Sequence, residues 1–214
     1  KASNILSFSP KRTMTTAQKL YEQGFITYMR TDSRTYSKEF IGKAKKFIQS
    51  KWSGKYVNDG IDALSLRKGT KKNTKKNTKD DNAQEAHEAI RPTDVTREKL
   101  SSNIDPSQQR LYDLIWSNTV ESCMSPAEYN LLSAKITAPE KHWYKYSEEL
   151  ITFPGWLIVR GYEKENSIYD WMLKSEQNKI VKYSKIQSKM TLKDLKTHYT
   201  EARLVQQMEK GGIG

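Results

Sequence analysis

The sequence predicts an α+β chain: a mainly helical portion, then a β-rich segment, then the start of a further helical region. Three observations carry this reading. Apolar residues recur at helical spacing in the stretches before Ser125-Pro126, short strand-like runs follow that dipeptide, and the helical period returns at Thr200. The divisions expected from these changes are residues 1–126, 127–196 and 197–214.

The first helix is expected over Thr15 to Gln23, with Ala17, Leu20 and Tyr21 on one face, Thr15 and Gln18 in capping-box positions and Gly24 as the stop. Phe25 to Met29 is aromatic and β-branched and too short for a helix. It should therefore run extended, which puts Tyr28 and Arg30 on the same side by alternation. Ser37 caps a second helix whose Phe40, Ile41, Ala44, Phe47 and Ile48 repeat at helical spacing until Ser53-Gly54. Near residues 67–82 the chain turns Lys-rich, with Lys-Lys-Asn-Thr twice in tandem, and a disordered surface insertion is expected. A third helix is announced by Asp105 as cap and Pro106 at the first helical position, carrying Leu111, Leu114, Ile115 and Trp116 and stopping near Ser125-Pro126. Strands are expected over Asn130 to Thr137, His142 to Tyr146, Leu157 to Tyr162 and Lys179 to Tyr183, broken by Pro139 and Pro154-Gly155. Thr200 then caps a helix running through Ala202, Leu204, Val205 and Met208 to Gly211-Gly212.

Composition narrows the partners. The 37 Lys and Arg against 25 Asp and Glu give a formal charge of +12, a field that favours polyanions. A single cysteine, Cys123, excludes an internal disulfide and a multi-Cys zinc site, and suits a reducing compartment. No apolar run approaches the roughly 20 residues that span a bilayer, so no membrane partner is expected. The start without Met and the end at Gly-Gly-Ile-Gly suggest a piece of something longer.

The string Ile26-Thr27-Tyr28-Met29-Arg30-Thr31-Asp32-Ser33 places a phenol and a guanidinium on one side of an extended segment, beside hydroxyls and a carboxylate. These are parts for phosphoryl transfer. A phenol, with a pKa of about 10, is a poor nucleophile until a cation or base favours the phenolate, and Arg30 could do that. The Arg30 fork also suits the non-bridging oxygens of a phosphate. Read on its own, a tyrosine in a strand is far more often a packing or surface residue than a nucleophile.

The full string resembles the active-site tyrosine motif of type IA DNA topoisomerases, Gly-Leu-Ile-Thr-Tyr-Met-Arg-Thr-Asp-Ser, with Phe25 in place of Leu. The lead-in Phe8-Ser9-Pro10-Lys11-Arg12-Thr13-Met14 and Ala17-Gln18-Lys19-Leu20-Tyr21-Glu22 is similar to that family's as well. A second block, Ala86-His87-Glu88-Ala89-Ile90-Arg91-Pro92-Thr93, resembles its His-Glu-Ala-Ile-Arg-Pro motif. A third, Tyr199-Thr200-Glu201-Ala202-Arg203-Leu204-Val205 with Gly211-Gly212-Ile213-Gly214, resembles its Tyr-Thr-Glu-Ala-Ser-Leu-Val…Gly-Ile-Gly segment, departing in Arg203 for Ser and in the Leu195-Lys196-Thr197-His198 approach. Phe153-Pro154-Gly155-Trp156 resembles a strand-turn of the family's arch, where turn and core suffice as an account.

The resemblance implies a catalytic set of Tyr28, Arg30 and His87, with Tyr28 attacking one DNA strand and becoming joined to its 5′ phosphate, Arg30 stabilising the phosphate and His87 assisting. It implies DNA contacts from Lys11, Arg12, Thr27, Thr31, Asp32, Arg91 and Thr200. For Arg91, with Glu88, a structural role tying the segment ahead of Pro92 is equally open, and Asp32 could instead orient Arg30 or cap the segment after it. Single-strand cleavage, strand passage and religation without ATP would relax negative supercoils, inside the cell and on DNA. The family also uses magnesium held by an acidic toprim domain. No Glu with Asp-x-Asp-x-x-Asp cluster occurs here, so that ion and domain are expected N-terminal to Lys1, with no metal site in this chain and the fragment inactive alone. The rival from another class is a non-catalytic module that binds single-stranded DNA. A tyrosine recombinase is disfavoured because there the tyrosine follows the Arg and His, whereas Tyr28 precedes His87. The Lys-Asn-Thr repeats could add phosphate attraction or be simply solvated, and most of the 12 Tyr and 5 Trp should be core.

Overall fold

The computed structural model describes residues 1–31, 33–65, 88–162, 167–175, 180, 182–192 and 198–213. The expected Lys-rich insertion at 67–82 lies outside them. The architecture is α+β. The chain divides into two compact units, one of Lys1–Ala127 with Pro154–Tyr162 and one of Glu128–Phe153 with Glu163–Gly214.

The first unit is built on four helices: α1 (Ala2–Leu6), α2 (Pro10–Glu22), α3 (Lys38–Lys51) and α4 (Pro106–Ser122). Sequence periodicity starts α2 at Thr15, five residues late. Its true start is the Ser9-Pro10 pair: the Ser9 side chain accepts from the Arg12 amide, and Pro10 takes a first-turn position where no donor is needed. Basic residues and threonines fill that first turn, so no apolar stripe marks it. The Thr13 and Thr16 hydroxyls instead donate to the carbonyls of Ser9 and Arg12, at 2.9 and 2.8 Å. Helix α3 begins as expected, with Ser37 accepting from the Phe40 amide, and buries Phe40, Ile41, Ala44 and Ile48. In α4 the Asp105 carboxylate accepts from the amides of Ser107 and Gln108, and Leu111, Tyr112, Leu114, Trp116 and Val120 are buried.

The core joins Phe8 and Leu20 of the N-terminal stretch, Ile26 and Met29 after it, the inner face of α3 and the α4 residues Leu111, Tyr112, Trp116 and Val120. Polar atoms carried inward are satisfied. Tyr112 donates to the Arg97 carbonyl at 2.6 Å, and the Trp116 indole donates to the Val95 carbonyl at 2.8 Å. Thus the loop after Pro92, which has no regular structure, is fastened to α4 by two aromatic donors.

Leu157 to Tyr162 is not a strand. Gly155–Arg160 forms a 3-10 turn, with the Trp156 amide donating to the Ser125 carbonyl at 3.0 Å and Ile158 and Val159 packed against the core. Burial against α4 rather than against a sheet satisfies this apolar run, and a run of five or six such residues does not reveal which.

In the second unit, β1 (Glu128–Thr137) and β2 (Trp143–Phe153) pair antiparallel, from Glu128 opposite Phe153 to Thr137 opposite Trp143. Among the described residues of this unit the strands are those of this hairpin, for Ile180, Lys182 and Tyr183 of the expected fourth strand are not in one. Helix α5 (Ser167–Leu173) buries Tyr169. Helix α6 (Glu201–Lys210) is capped by Thr200, whose hydroxyl accepts from the Arg203 amide at 3.3 Å, and Gly212 follows with φ +67°.

Candidate functional site

The position of Tyr28 is set by how α2 ends. Gly24 has φ +74°, the Phe25 amide donates to the Leu20 carbonyl at 2.9 Å and the Gly24 amide to the Tyr21 carbonyl at 2.8 Å. This paired closure with a left-handed residue redirects the chain sharply, and glycine is the residue that does so without strain. The segment then leaves α2 with Ile26 and Met29 buried and with Tyr28 and Arg30 exposed on either side of Met29.

The second motif block runs antiparallel beside this segment. The Thr27 amide donates to the Arg91 carbonyl at 2.9 Å, the Thr93 amide to the Phe25 carbonyl at 3.0 Å, and Ile26 and Pro92 form a bridge between them. Two threonine hydroxyls complete the pairing. Thr27 donates to the Ala89 carbonyl at 2.8 Å while accepting from the Arg91 amide at 3.0 Å, and Thr93 donates to the Gly24 carbonyl at 2.7 Å. One residue further out, the Ala89 amide donates to the Thr35 carbonyl at 2.8 Å. Two strings more than 60 residues apart in sequence therefore form one bonded strip, with the Tyr28 ring on it.

Tyr28 is 41% exposed, and its ring meets the edge of Tyr21 with centroids 5.1 Å apart and planes at 63°. Sequence reasoning gives Tyr21 no more than a helix-face position; the seven-residue separation across the Gly24 reversal is the available signal. Among the described residues Arg30 pairs with none. Thr31 accepts from the Ser33 amide at 3.0 Å, and the Ser33 and Thr35 hydroxyls lie 3.1 Å apart. Two other phenols of the unit, Tyr36 and Tyr112, are buried. Burial raises the pKa of Tyr36, and burial pushes Tyr112 up to about 12, so both are held neutral.

Arg91 is occupied internally. Its guanidinium bonds Glu88 at 2.5 and 2.6 Å, donates to the Pro92 carbonyl at 3.0 Å and lies 4.3 Å from the centre of the Phe40 ring. The side chains of Arg91 and Glu88 are 13% and 17% exposed. Lys11 and Arg12 lie on the first turn of α2, with Arg12 4.3 Å over the Phe8 ring and donating to the Ser107 hydroxyl at 2.7 Å. Thr200 belongs to the second unit, where its hydroxyl caps α6 and Arg203 lies 5.5 Å from the centre of the Tyr199 ring. His87 and Asp32 lie outside the described residues.

Among the described residues no group of three His, Cys, Asp or Glu side chains comes together to hold a metal ion, and no helix is long and apolar enough to cross a membrane.

The DNA topoisomerase family model matches residues 1–214. DNA topoisomerase 1 of Pseudomonas aeruginosa is 36% identical over 214 residues, covering 100% of this chain and 23% of that protein. The Escherichia coli protein of the same name is 32% identical over 224 residues, again with 100% and 23% covered. Among solved structures, full-length topoisomerase I from Thermotoga maritima matches with a TM-score of 0.62 and 26% identity, covering 100% of this chain and 33% of that one. The chain thus spans about a quarter of the length of these DNA topoisomerase 1 relatives. A match over every residue, with the first two motif blocks paired in the fold, shows that the chain belongs to the type IA DNA topoisomerase family.

Proposed function

We propose that this chain is the tyrosine-bearing part of an enzyme that cuts and rejoins single strands of DNA, with Tyr28 as nucleophile. The Tyr28 oxygen attacks a backbone phosphorus, the bond from phosphorus to the 3′ oxygen breaks, and the phenol proton ends on the departing 3′ hydroxyl, directly or through water. The strand's 5′ phosphate is then esterified to Tyr28. Resealing is the reverse, with the 3′ hydroxyl attacking and the phenol leaving, so the phosphodiester energy is conserved and ATP is not consumed. Strand passage between the two steps relaxes negative supercoils.

The observation that carries this reading is an exposed phenol on a strip fixed by hydrogen bonds from two motif blocks. Arg30, exposed and unpaired among the described residues, is the cation for the non-bridging oxygens. His87, which precedes Glu88 in the second block, is assigned the assisting role. Thr27 acts by holding the strip. Arg91 positions that strip through Glu88 and Phe40, while Thr31, Asp32 and, elsewhere, Thr200 are the remaining DNA-side candidates. Magnesium, in this reading, is held by an acidic domain outside these residues and supplies charge stabilisation at the phosphate.

The test replaces the matching segment of the Pseudomonas aeruginosa topoisomerase with this chain and supplies magnesium and negatively supercoiled plasmid. The chimera should relax the plasmid and yield a denaturation-stable protein–DNA adduct, and Tyr28→Phe should abolish both. Equal relaxation by both proteins refutes the assignment of Tyr28. DNA binding with no adduct from either favours the non-catalytic single-strand-binding module.

A further inference from the structure

A second feature of the first unit lies apart from the Tyr28 strip. Between the first half of α2 and the start of α4 is an open cleft of about 430 Å³, and Lys11, Arg12, Thr15, Lys19, Asp105 and Ser107 are among the residues lining it. Neither Tyr28 nor Tyr21 reaches it. Three cations face one acid there. The acid is already committed, since Asp105 accepts from the amides of Ser107 and Gln108 at 2.8 and 3.4 Å to cap α4. Because those two amides are used, the cleft owes its character to side chains and not to a helix end.

The cations are also prepared unequally. Arg12 is held by the Phe8 ring on one side and the Ser107 hydroxyl on the other, so little rotamer freedom is left to lose. Lys11 makes no ion pair among the described residues, and Lys19 acts on Asp105 only through its charge, which leaves two ammonium groups to meet an anion. Hydroxyls of Thr15 and Ser107 beside them suit phosphate oxygens.

We propose that this cleft holds one backbone phosphate of a DNA strand, as a non-catalytic site separate from Tyr28. The inference rests on the nucleic-acid reading above but not on Tyr28 being a nucleophile. Fluorescence anisotropy of a short single-stranded oligonucleotide with the full chain, across a salt series, tests it. The Lys11→Gln/Lys19→Gln double variant should bind roughly tenfold more weakly and lower the log–log salt slope by about 0.7, the counterion release expected for one phosphate on a single strand. Lys46→Gln, removing an exposed charge on α3, should change affinity less than twofold. Neither lysine of the double variant makes an ion pair among the described residues, and a melting curve checks that folding is unchanged by loss of the Lys19 charge near Asp105.

An unchanged affinity and slope in the double variant overturns the site. So does an equal loss in Lys46→Gln, which would mean general charge alone. Inorganic phosphate, followed by amide NMR shifts at Thr15 and Ser107, separates the possible sources. Displacement of phosphate by the oligonucleotide supports the proposal, and phosphate binding that the oligonucleotide leaves undisturbed overturns it. The cleft is read out by affinity and salt slope and the nucleophile by adduct formation, so failure of the nucleophile assignment and failure of the cleft give different results.

Discussion

Replacing Thr27 by Val keeps the shape of the side chain and removes the one atom that joins the two motif blocks from both directions. The hydroxyl donates to the Ala89 carbonyl at 2.8 Å and accepts from the Arg91 amide at 3.0 Å, so the substitution deletes two hydrogen bonds and strands a carbonyl and an amide in a half-buried place. Each such bond contributes about 1 kcal/mol net, and an unsatisfied partner adds to the loss, giving about 2–3 kcal/mol in all. For a chain of this size that lowers the melting temperature by roughly 5–10 °C. Denaturant unfolding of wild type and Thr27→Val measures the difference, and amide hydrogen exchange locates it: Arg91 should lose protection while amides inside α3 fall only by the global change. A loss below about 0.5 kcal/mol with Arg91 still protected would refute the claim that this hydroxyl holds the strip together.

Four further outcomes are expected. Gly155→Ala should cost at least about 2 kcal/mol in the same assay, because a Cβ there would lie 2.4 Å from the Pro126 carbonyl oxygen at a φ of +49°. Arg91→Ala should cost about 3 kcal/mol by leaving Glu88 unpaired and Phe40 uncovered, and if DNA affinity measured by anisotropy falls no further than folding explains, its role is structural. Tyr28→Phe should leave stability within about 0.5 kcal/mol of wild type by thermal melting, since no described residue bonds its hydroxyl. Burial pushes Tyr112 up to about 12 and Cys123 up to about 11, so both raised groups favour the fold fully below their unfolded values and lose that contribution as pH rises. The unfolding midpoint should hold steady from neutral pH to about 8.5 and decline between about 9 and 12, and Tyr112→Phe should flatten part of that decline.

Much of the helical framework is legible because it is written in single residues with local consequences. Ser37, Asp105 with Pro106, and Thr200 each accept or forgo a particular amide bond at a helix start, and Gly24 supplies a backbone angle few residues tolerate. The start of α2 is hidden because a turn of Lys, Arg and Thr exposes no apolar stripe, and the cap Ser9 lies outside the window that periodicity defines. Leu157 to Tyr162 misleads for the opposite reason: its apolar residues are half-buried, but by packing against the core beside α4 and not by a neighbouring strand. At the site, Tyr28 and Arg30 are both exposed around buried Met29, while Ile26, which alternation would place with them, is buried. The occupation of Arg91 by Glu88 and Phe40, and of Thr27 by residues 89 and 91, depends largely on contacts over long sequence separations. No local pattern announces those.

The pairing of residues 24–27 with 89–93 has an evolutionary consequence. Once the ends are clasped, the chain between them closes a loop, and loop entropy grows only with the logarithm of length, about 0.6 kcal/mol for each doubling. A lineage can therefore lengthen that stretch outside the core residues of α3 at small thermodynamic expense, while the tyrosine stays registered against the second block. The clasp insulates the geometry that must not drift from the sequence that is free to.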